Sequence, residues 1–287
     1  MIVHRSKKFN TRVKPTWCPG CGDYSIWHAL KMTISENGWE PHQFCVVYDI
    51  GCSGNMCSFI NAYGFHGLHG RSLPVAAGIK ISNHELPLIV IGGDGGLYGE
   101  GMGHFIHFMR ANHDITMLVH DNQIYGLTTG QTSPTTEKGQ KTKSNPIGGI
   151  EIPINPLVMA IASGATFVAR GFAGDTEGTA ALIKKAIAHK GFSLVDVFQP
   201  CVTFNKHNTY EWYKERIYDL SVTDYVPNNQ HAAFGKAMEF DKLPIGVIYE
   251  DTSRLTYEEE LPQLKDKPLI KNDNLNRDIS AVLKSYM

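Results

Sequence analysis

The string Ile91-Gly92-Gly93-Asp94-Gly95-Gly96 has the residue types of a phosphate-binding loop with a metal ligand inside it. It follows an apolar run and precedes a segment with helical spacing. Glycines there let the backbone approach a diphosphate and leave helix amides free to bind it. The Asp94 carboxylate would repel a bare phosphate, but a divalent cation between the two groups removes that repulsion. Because Mg²⁺ commonly takes one or two oxygen side chains plus phosphates, the string predicts a magnesium–diphosphate site.

A second polar string, His120-Asp121-Asn122-Gln123-Ile124, follows the next apolar run. Asn122 lies 28 positions beyond Asp94, a distance that one helix and one strand fill. Neighbouring parallel strands end at the same edge of a sheet, so the two side chains are expected to lie close together. The alternative is an ordinary tight turn at 92–96 and an ordinary strand-end cap at Asn122.

Four of the six cysteines form a second candidate site. Cys18 and Cys21 have the C-x₂-C spacing, which lets two thiolates hold one metal or cluster. Cys52 and Cys201 each follow an apolar run, so all four thiols could converge beside the diphosphate loop. One pair and two single cysteines favour an iron–sulfur cluster, with zinc as the alternative, because zinc ribbons use the pair twice.

The other two cysteines differ from these four. Cys45 lies inside the apolar run at 44–47 and is predicted to be a buried small hydrophobe. Cys57 lies five residues after Cys52 and is the main rival for a ligand position.

The elements that must position these residues alternate between strand and helix. Apolar runs predict buried parallel strands at 44–49, 86–92, 115–120, 166–170, 193–198 and 244–249. Helical spacing predicts helices at 22–37, 74–83, 100–112, 156–163 and 175–190, the last with Asp175 as its N-cap. This order predicts an α/β fold with a doubly wound, mostly parallel sheet, in which ligands bind at the carboxyl ends of the strands.

Two segments depart from the alternation. Residues 128–156 are rich in Gly, Pro, Thr and Lys, and they are too long for an ordinary connection, which predicts either a functional or a poorly ordered loop. Residues 1–205 are predicted to form the cofactor-binding domain. Residues 206–287 are predicted to be a C-terminal extension that packs on the core or on a partner subunit.

Composition excludes several classes of partner. The net charge is −1, with 27 basic and 28 acidic residues, so no charge excess favours nucleic acid or an anionic membrane. The longest apolar strings, such as 88–91, are far too short to span a bilayer. The chain is therefore expected in the cytoplasm, where structural disulfides are rare.

The Gly-Asp-Gly string and Asn122 together resemble the thiamine-diphosphate motif of thiamine-dependent enzymes. By that likeness, Asp94 and Asn122 give side-chain oxygens to Mg²⁺, and Ile124 gives its backbone carbonyl. The glycines that would line the diphosphate are Gly93, Gly95 and Gly96.

The full set of motifs resembles the β subunit of the 2-oxoacid:ferredoxin oxidoreductases. The resemblance runs over residues 18–201, about two thirds of the chain. It rests on Cys18-Pro-Gly-Cys21-Gly, Ile50-Gly-Cys52-Ser-Gly, His66-Gly-Leu-His69-Gly-Arg71, Gly93-Asp94-Gly95 and Asn122-Gln-Ile-Tyr-Gly-Leu-Thr128. The combination is specific, whereas each part alone is weak.

This resemblance implies a cofactor set. The subunit would carry thiamine diphosphate with Mg²⁺, and one [4Fe–4S] cluster on Cys18, Cys21, Cys52 and Cys201. Its fold would be the diphosphate-binding module of thiamine enzymes. Further cofactor contacts are expected from Ile50, Gly51, Cys52, Ser53, His69, Gly126, Leu127 and Thr128. His69 is the candidate catalytic residue, for diphosphate contact or proton transfer, and a structural histidine is the alternative.

The resemblance also implies an activity and partners. The reaction would be the coenzyme A-linked oxidative decarboxylation of a 2-oxoacid, or the reverse carboxylation, with electrons passing through the cluster to ferredoxin. An α subunit would supply the partner module and the activating glutamate, in an (αβ)₂ heterotetramer, so the chain alone is predicted to be inactive. The stretch 201–206 favours 2-oxoglutarate as substrate. Pyruvate and branched-chain oxoacids remain alternatives, because Asn55 stands where some members carry a basic residue.

Two other functions remain open. One is a non-redox thiamine enzyme with structural zinc at the cysteines. The other is an electron-transfer or assembly subunit that holds a cluster and no thiamine.

Overall fold

An eight-stranded sheet forms the centre of the computed structural model, which describes residues 6–271 and 278–286. The strands, in chain order, are β1 (Cys45–Tyr48), β2 (Tyr63–His66), β3 (Leu88–Gly93), β4 (Thr116–Asp121), β5 (Phe167–Phe172), β6 (Ser193–Phe198), β7 (Ile217–Asp219) and β8 (Leu243–Glu250). Their order across the sheet is β2-β1-β3-β4-β6-β5-β8-β7. The pairs from β2 to β5 are all parallel.

Helices cover both faces of the sheet, as a doubly wound fold requires. They are α1 (Asp23–Glu36), α2 (Ser72–Ser82), α3 (Met102–Ala111), α4 (Pro156–Ala162), α5 (Thr176–Ala188), α6 (Tyr210–Lys214), α7 (Gln230–Ala237), α8 (Tyr257–Glu260) and α9 (Ser280–Ser285). Helices α1 and α5 pack on one face, and α2, α3, α4 and α7 pack on the other. Shorter helical turns include Gly54–Ser58 and the π-helix Gly95–Glu100.

The predicted architecture is confirmed, with small shifts at the element boundaries. All six predicted strands and all five predicted helices are present. The N-cap prediction also holds, because the Asp175 side chain accepts a hydrogen bond from the Gly178 amide.

The strand predictions need two corrections. Strands β2 and β7 were not predicted, because β2 is exposed along its whole length and β7 has only three residues, so neither forms an apolar run. Strand β8 was predicted to be parallel, but it runs antiparallel to β5. The reason is that residues 199–216 stay at the carboxyl edge of the sheet, where Tyr213 packs on Phe198 and Phe172. Strand β7 therefore starts at that edge, and β8 pairs with it in parallel.

The region predicted as a C-terminal extension contributes β7 and β8 to the same sheet. The domain boundary at 205/206 stays a prediction, and residues 272–277 and 287 lie outside the described part of the chain. Among the described residues, no helix is both long enough and apolar enough to cross a membrane.

Gly54 closes the turn that follows β1, and the turn has no room for a side chain. A Cβ atom at this position would lie 1.8 Å from the backbone oxygen of Asp49. We expect Gly54→Ala to lower the free energy of unfolding by about 3 kcal/mol or more, because backbone must move to relieve the overlap. Thermal unfolding of the purified chain measures the effect.

Gly78→Ala is the matched control for that substitution. Gly78 lies inside α2, and a Cβ there would meet no atom within 4 Å. Alanine is the better helix former, so stability should rise by about 0.5–1 kcal/mol. Equal effects of the two substitutions would contradict the steric argument.

Candidate functional site

A cleft of about 180 Å³ opens at the carboxyl edge of the sheet. The residues predicted to bind cofactor all line it, together with His120 and Tyr125, which were not predicted. The lining comprises Ile50, Gly51, Cys52, Ser53, His69, Gly93, Asp94, Gly95, Gly96, His120, Asn122, Ile124, Tyr125, Gly126, Leu127 and Thr128. Residues far apart in sequence are thus brought together in one place.

The strand register explains why the two polar strings meet. Gly93 at the end of β3 is paired with His120 near the end of β4. Asp94 directly follows Gly93, and Asn122 follows β4. The sequence spacing therefore places Asp94 and Asn122 after adjacent strand ends, as predicted.

Asp94 is buried, and its environment disfavours a bare negative charge. Burial raises the pKa of this carboxyl to about 6, although hydrogen bonds from Ser133 and Thr135 act in the opposite direction. The Thr135 hydroxyl lies 2.6 Å from one Asp94 oxygen and 2.8 Å from an Asp121 oxygen. Burial, followed by repulsion from Asp196 and Asp94, raises the pKa of Asp121 well above its usual value.

These contacts give an ordered arrangement of protons. A hydroxyl donates only one proton, so Thr135 can serve both carboxyl groups only if one of them is protonated. The raised pKa values of both carboxyls favour one proton shared among Asp94, Thr135 and Asp121. A cation bound at the site would favour the ionised form of Asp94.

Asn122 and Ile124 are fixed by a tight turn. The Ile124 amide donates to the Asn122 side-chain oxygen at 3.0 Å, and Gln123 between them has a positive φ of 59°. Asn205 holds the turn from outside by donating to the Asn122 carbonyl at 3.0 Å. The site offers one carboxylate, one amide and one backbone carbonyl, which are the oxygen donors that suit Mg²⁺.

The cleft also contains buried polar atoms that have no hydrogen-bond partner among the described residues. They are the Ser53 hydroxyl oxygen and Nε2 of His120. The other ring nitrogen of His120 lies 2.5 Å from the buried carboxylate of Asp23, so that nitrogen carries a proton and Nε2 is left free for a ligand. Buried polar atoms are nearly always paired in native proteins, so these two atoms fit a site that binds a polar ligand.

The four predicted cluster cysteines interact with one another. Burial, followed by the nearby Asp23, Cys201 and Cys18, raises the pKa of the Cys52 thiol to about 12. Burial, Asp23 and then Cys201 likewise raise the pKa of Cys21. Thiols with such high pKa values are neutral when free, and a bound metal would remove their protons.

The cysteine group borders the cleft at Gly126. A Cβ atom at this position would lie 3.5 Å from the Cys52 sulfur, 3.6 Å from the Cys201 sulfur and 3.9 Å from the Asn122 amide nitrogen. Gly126 therefore lies beside both sulfur atoms and beside the side chain of the candidate magnesium ligand Asn122. A side chain at this position would contact all three groups.

Hydrogen bonds hold two of these cysteines, Cys21 and Cys52, in place. The Gln199 amide donates to the Cys21 sulfur at 3.2 Å, and the Trp17 indole donates to the Cys52 carbonyl at 2.7 Å. Cys201 is buried, three residues after the end of β6. All six cysteines are free thiols.

The remaining two cysteines lie elsewhere. Cys45 is buried in β1, as predicted. Cys57 is directed at the exposed edge strand β2, where its sulfur lies 3.4 Å from Nδ1 of His66. No interaction of Cys57 with the four-cysteine group is found among the described residues, but its exclusion as a ligand stays a prediction.

No group of three or more His, Cys, Asp or Glu side chains within 6–271 and 278–286 is arranged to hold a single metal ion. Both predicted sites are compatible with this finding. The magnesium site would use one carboxylate plus an amide, a carbonyl and phosphates. In a four-iron cluster each thiolate binds its own iron atom, so the sulfur atoms need not share one point.

Sequence reasoning missed several polar residues around the cleft. His120 and Asp121 belong to the polar string that follows β4, so their position was a usable signal. Thr135 gave no signal, because it lies in the long loop that was predicted only as functional or poorly ordered. The structure brings that loop over the site and buries Ser133 and Thr135.

Two models of known protein families match parts of this chain. A model of the family described as thiamine pyrophosphate enzyme, C-terminal TPP binding domain, matches residues 49–197. A second model, which describes the C-terminal part of the pyruvate ferredoxin oxidoreductase beta subunit, matches residues 201–266.

Individual relatives cover most of the chain. The 2-oxoacid:ferredoxin oxidoreductase 1 subunit beta of Aeropyrum pernix is 42% identical over 283 residues, which are 95% of this chain and 89% of that protein. The 2-oxoglutarate synthase subunit KorB of Archaeoglobus fulgidus is 39% identical over 68% of this chain and 73% of its own length. The solved structure of the 2-oxoglutarate:ferredoxin oxidoreductase from Magnetococcus marinus superposes with a TM-score of 0.90 at 34% identity, covering 99% of this chain and 96% of that one. The chain therefore belongs to the β subunits of the 2-oxoacid:ferredoxin oxidoreductases.

Proposed function

We propose that this subunit binds magnesium–thiamine diphosphate and a [4Fe–4S] cluster side by side, and that its complex oxidises 2-oxoglutarate to succinyl-CoA and CO₂. Electrons leave through the cluster to ferredoxin. The observation that carries the proposal is the position of Gly126, which lies beside the Cys52 and Cys201 sulfur atoms and also beside the candidate magnesium ligand Asn122. The fold by itself does not require cysteine thiols beside the candidate magnesium site.

The residues of the cleft suit the thiamine cofactor. Asp94, Asn122 and the Ile124 carbonyl would hold Mg²⁺, and Gly93, Gly95 and Gly96 line the part of the cleft where the diphosphate would lie. Ser53 and His120 offer the unpaired polar atoms described above. When bound, thiamine diphosphate supplies an electron sink for the loss of CO₂ from a 2-oxoacid.

The four-thiol group suits an iron–sulfur cluster. Cys201 is buried and the other three cysteines are partly buried. Their thiols interact mutually, and Gln199 donates a hydrogen bond to the Cys21 sulfur. Hydrogen bonds to sulfur and burial are the means by which proteins tune the potential of such clusters. Because Cys52 also lines the cleft, electrons would have a short route out of the cofactor site.

The substrate proposal rests on relatives. The Magnetococcus marinus structure has 2-oxoglutarate, coenzyme A and succinyl-CoA bound. KorB relatives carry 2-oxoglutarate in their names. We therefore place 2-oxoglutarate ahead of pyruvate and branched-chain oxoacids, although Asn55 supplies no charge for the second carboxylate.

The α subunit is proposed to cover the mouth of the cleft. Leu68 and Leu127 are 77% and 49% exposed, and Leu127 itself lines the cleft. Exposed apolar side chains beside a ligand site indicate a protein interface. The described lining contains no glutamate that could activate the aminopyrimidine ring, so the partner would supply that group. We propose an (αβ)₂ assembly in the cytoplasm, where cluster thiols stay reduced.

The complex of α and β subunits, purified without oxygen, tests this function. We expect reduction of ferredoxin that requires both 2-oxoglutarate and coenzyme A, and about 100-fold or more loss of rate with the β chain alone, since electrostatic and acid–base groups from both subunits complete the site. Pyruvate and a branched-chain oxoacid serve as comparison substrates.

Metal analysis of the same preparation separates the remaining alternatives. Iron with acid-labile sulfide supports the redox enzyme. Zinc without sulfide would mean a non-redox thiamine enzyme, and a cluster without thiamine diphosphate would mean an electron-transfer or assembly subunit.

A further inference from the structure

Asp49 is a fully buried carboxylate directly after β1, and it holds the loop that follows β2. Its oxygens accept hydrogen bonds from the amides of Ile50 (2.6 Å) and Gly70 (2.9 and 3.1 Å) and from the Ser72 hydroxyl (3.1 Å). Its Oδ1 atom also lies 3.2 Å from Nδ1 of His69. Because an ionised carboxylate only accepts hydrogen bonds, His69 must carry a proton on Nδ1.

The other ring nitrogen of His69 faces Glu100. Its Nε2 atom lies 3.1 Å from a carboxylate oxygen of Glu100. With Nδ1 protonated, a neutral imidazole has only a lone pair at Nε2, and a carboxylate oxygen has only lone pairs as well. The two atoms therefore bond only when a proton lies between them. The hydrogen-bonded series Asp49–His69–Glu100 thus holds one exchangeable proton beside the cleft.

Tyr125 links Glu100, the last residue of this series, to the glycine loop that follows β3. Its hydroxyl lies 3.3 Å from both Glu100 carboxylate oxygens and 3.3 Å from the Gly95 carbonyl. Burial, followed by the nearby Glu100, raises the pKa of Tyr125, so the phenol stays protonated and acts as a donor. The nearby cation Arg71 donates to the Glu100 backbone carbonyl at 2.7 Å.

We propose that Asp49 is a positioning residue that fixes the tautomer and orientation of His69, so that Nε2 can take up and return one proton at the cleft. This inference rests on the proposed function, in which His69 serves the reaction. When Nε2 accepts a proton, the ring becomes an imidazolium whose charge Asp49 offsets. The proton then returns to the reacting group or passes to Glu100, and no other bond changes.

Asp49→Asn in the holoenzyme complex tests the proposal. The amide has the shape of the carboxylate, its oxygen can keep the bonds from Ile50, Gly70 and His69, and its NH₂ group faces the Ser72 hydroxyl, which can accept. The variant therefore removes the negative charge that offsets the imidazolium and leaves the hydrogen-bonded frame in place. We expect kcat to fall about 10- to 100-fold, with the KM for the oxoacid and the thiamine and iron contents unchanged, because the general acid–base contribution is typically 100-fold or more. Asp241→Asn removes a negative charge at an exposed position outside the cleft lining, and it should stay within about twofold of wild type.

A double-variant cycle separates positioning from a structural role. If Asp49 acts through His69, then Asp49→Asn combined with His69→Asn should be no slower than His69→Asn alone. Glu100→Gln, at a partly exposed position where folding is not at risk, should lower kcat only when His69 is present.

Three outcomes would overturn the positioning role: multiplying effects of Asp49→Asn and His69→Asn, an unchanged kcat in Asp49→Asn when His69→Asn is slow, or loss of thiamine from Asp49→Asn. Failure of the proposed function is a different result, because the wild-type complex would then not oxidise a 2-oxoacid.

Discussion

Asp94→Asn is expected to deprive the complex of thiamine diphosphate and of oxoacid oxidation. The substitution keeps the shape of the side chain but removes the single carboxylate of the candidate magnesium site. Even outer-shell partners of metal ligands are typically worth 10- to 100-fold in affinity, so loss of a direct ligand should weaken cofactor binding about 100-fold or more. The amount of thiamine diphosphate that stays bound through gel filtration in Mg²⁺ buffer measures this loss.

The fold of this variant should remain intact. An asparagine oxygen at position 94 can still accept the hydrogen bond from Thr135, which lies 2.6 Å away in the wild type. Because burial already raises the pKa of Asp94, a neutral amide costs no more to bury than the carboxylate. Thermal unfolding of the cofactor-free proteins should therefore show no loss of stability.

Asp241→Asn is the control for loss of charge alone, because Asp241 is exposed and is not among the residues that line the cleft. It should retain thiamine diphosphate as the wild type does. Equal retention by Asp94→Asn and the wild type would show that Asp94 is not a metal ligand, and the diphosphate site would have to be sought elsewhere.

The parts of the site that lie at strand ends could be predicted from sequence. Asp94 and Asn122 each follow a buried strand, and the β3–β4 register places them side by side without any further information. Cys52 and Cys201 were placed at the same edge by the same argument. Here a local pattern, apolar run followed by a polar residue, already determines the position in space.

The parts that depend on contacts between distant segments could not be predicted. Thr135 reaches Asp94 from a loop whose composition shows only that it is irregular. Asp49 and His69 are twenty residues apart, and their pairing depends on the exposed strand β2, which has no apolar pattern. The direction of β8 likewise depends on the path of the chain across the sheet edge, which leaves no local signal.

Cys201→Ser is expected to remove the iron–sulfur cluster, whereas Cys57→Ser is expected to leave it in place. Serine is nearly the size of cysteine, so neither change should disturb packing. A hydroxyl is a poor ligand for the soft iron–sulfur centre, and loss of one of four thiolates should lower the iron content of the anaerobic complex by about tenfold. Visible absorption and analysis of iron and acid-labile sulfide report the result.

The comparison between the two serines isolates ligation from other properties of a thiol. Cys201 lies within the group of mutually interacting sulfur atoms beside Gly126, whereas Cys57 lies against His66 at the sheet edge. Because a bound cluster stabilises the fold that binds it, Cys201→Ser should also unfold at a lower temperature than Cys57→Ser. If Cys57→Ser loses iron and Cys201→Ser retains it, then Cys57 and not Cys201 is the cluster ligand. That result would also weaken the proposal that cluster and coenzyme lie side by side at Gly126. One of the two sulfur atoms that border Gly126 would then not carry iron.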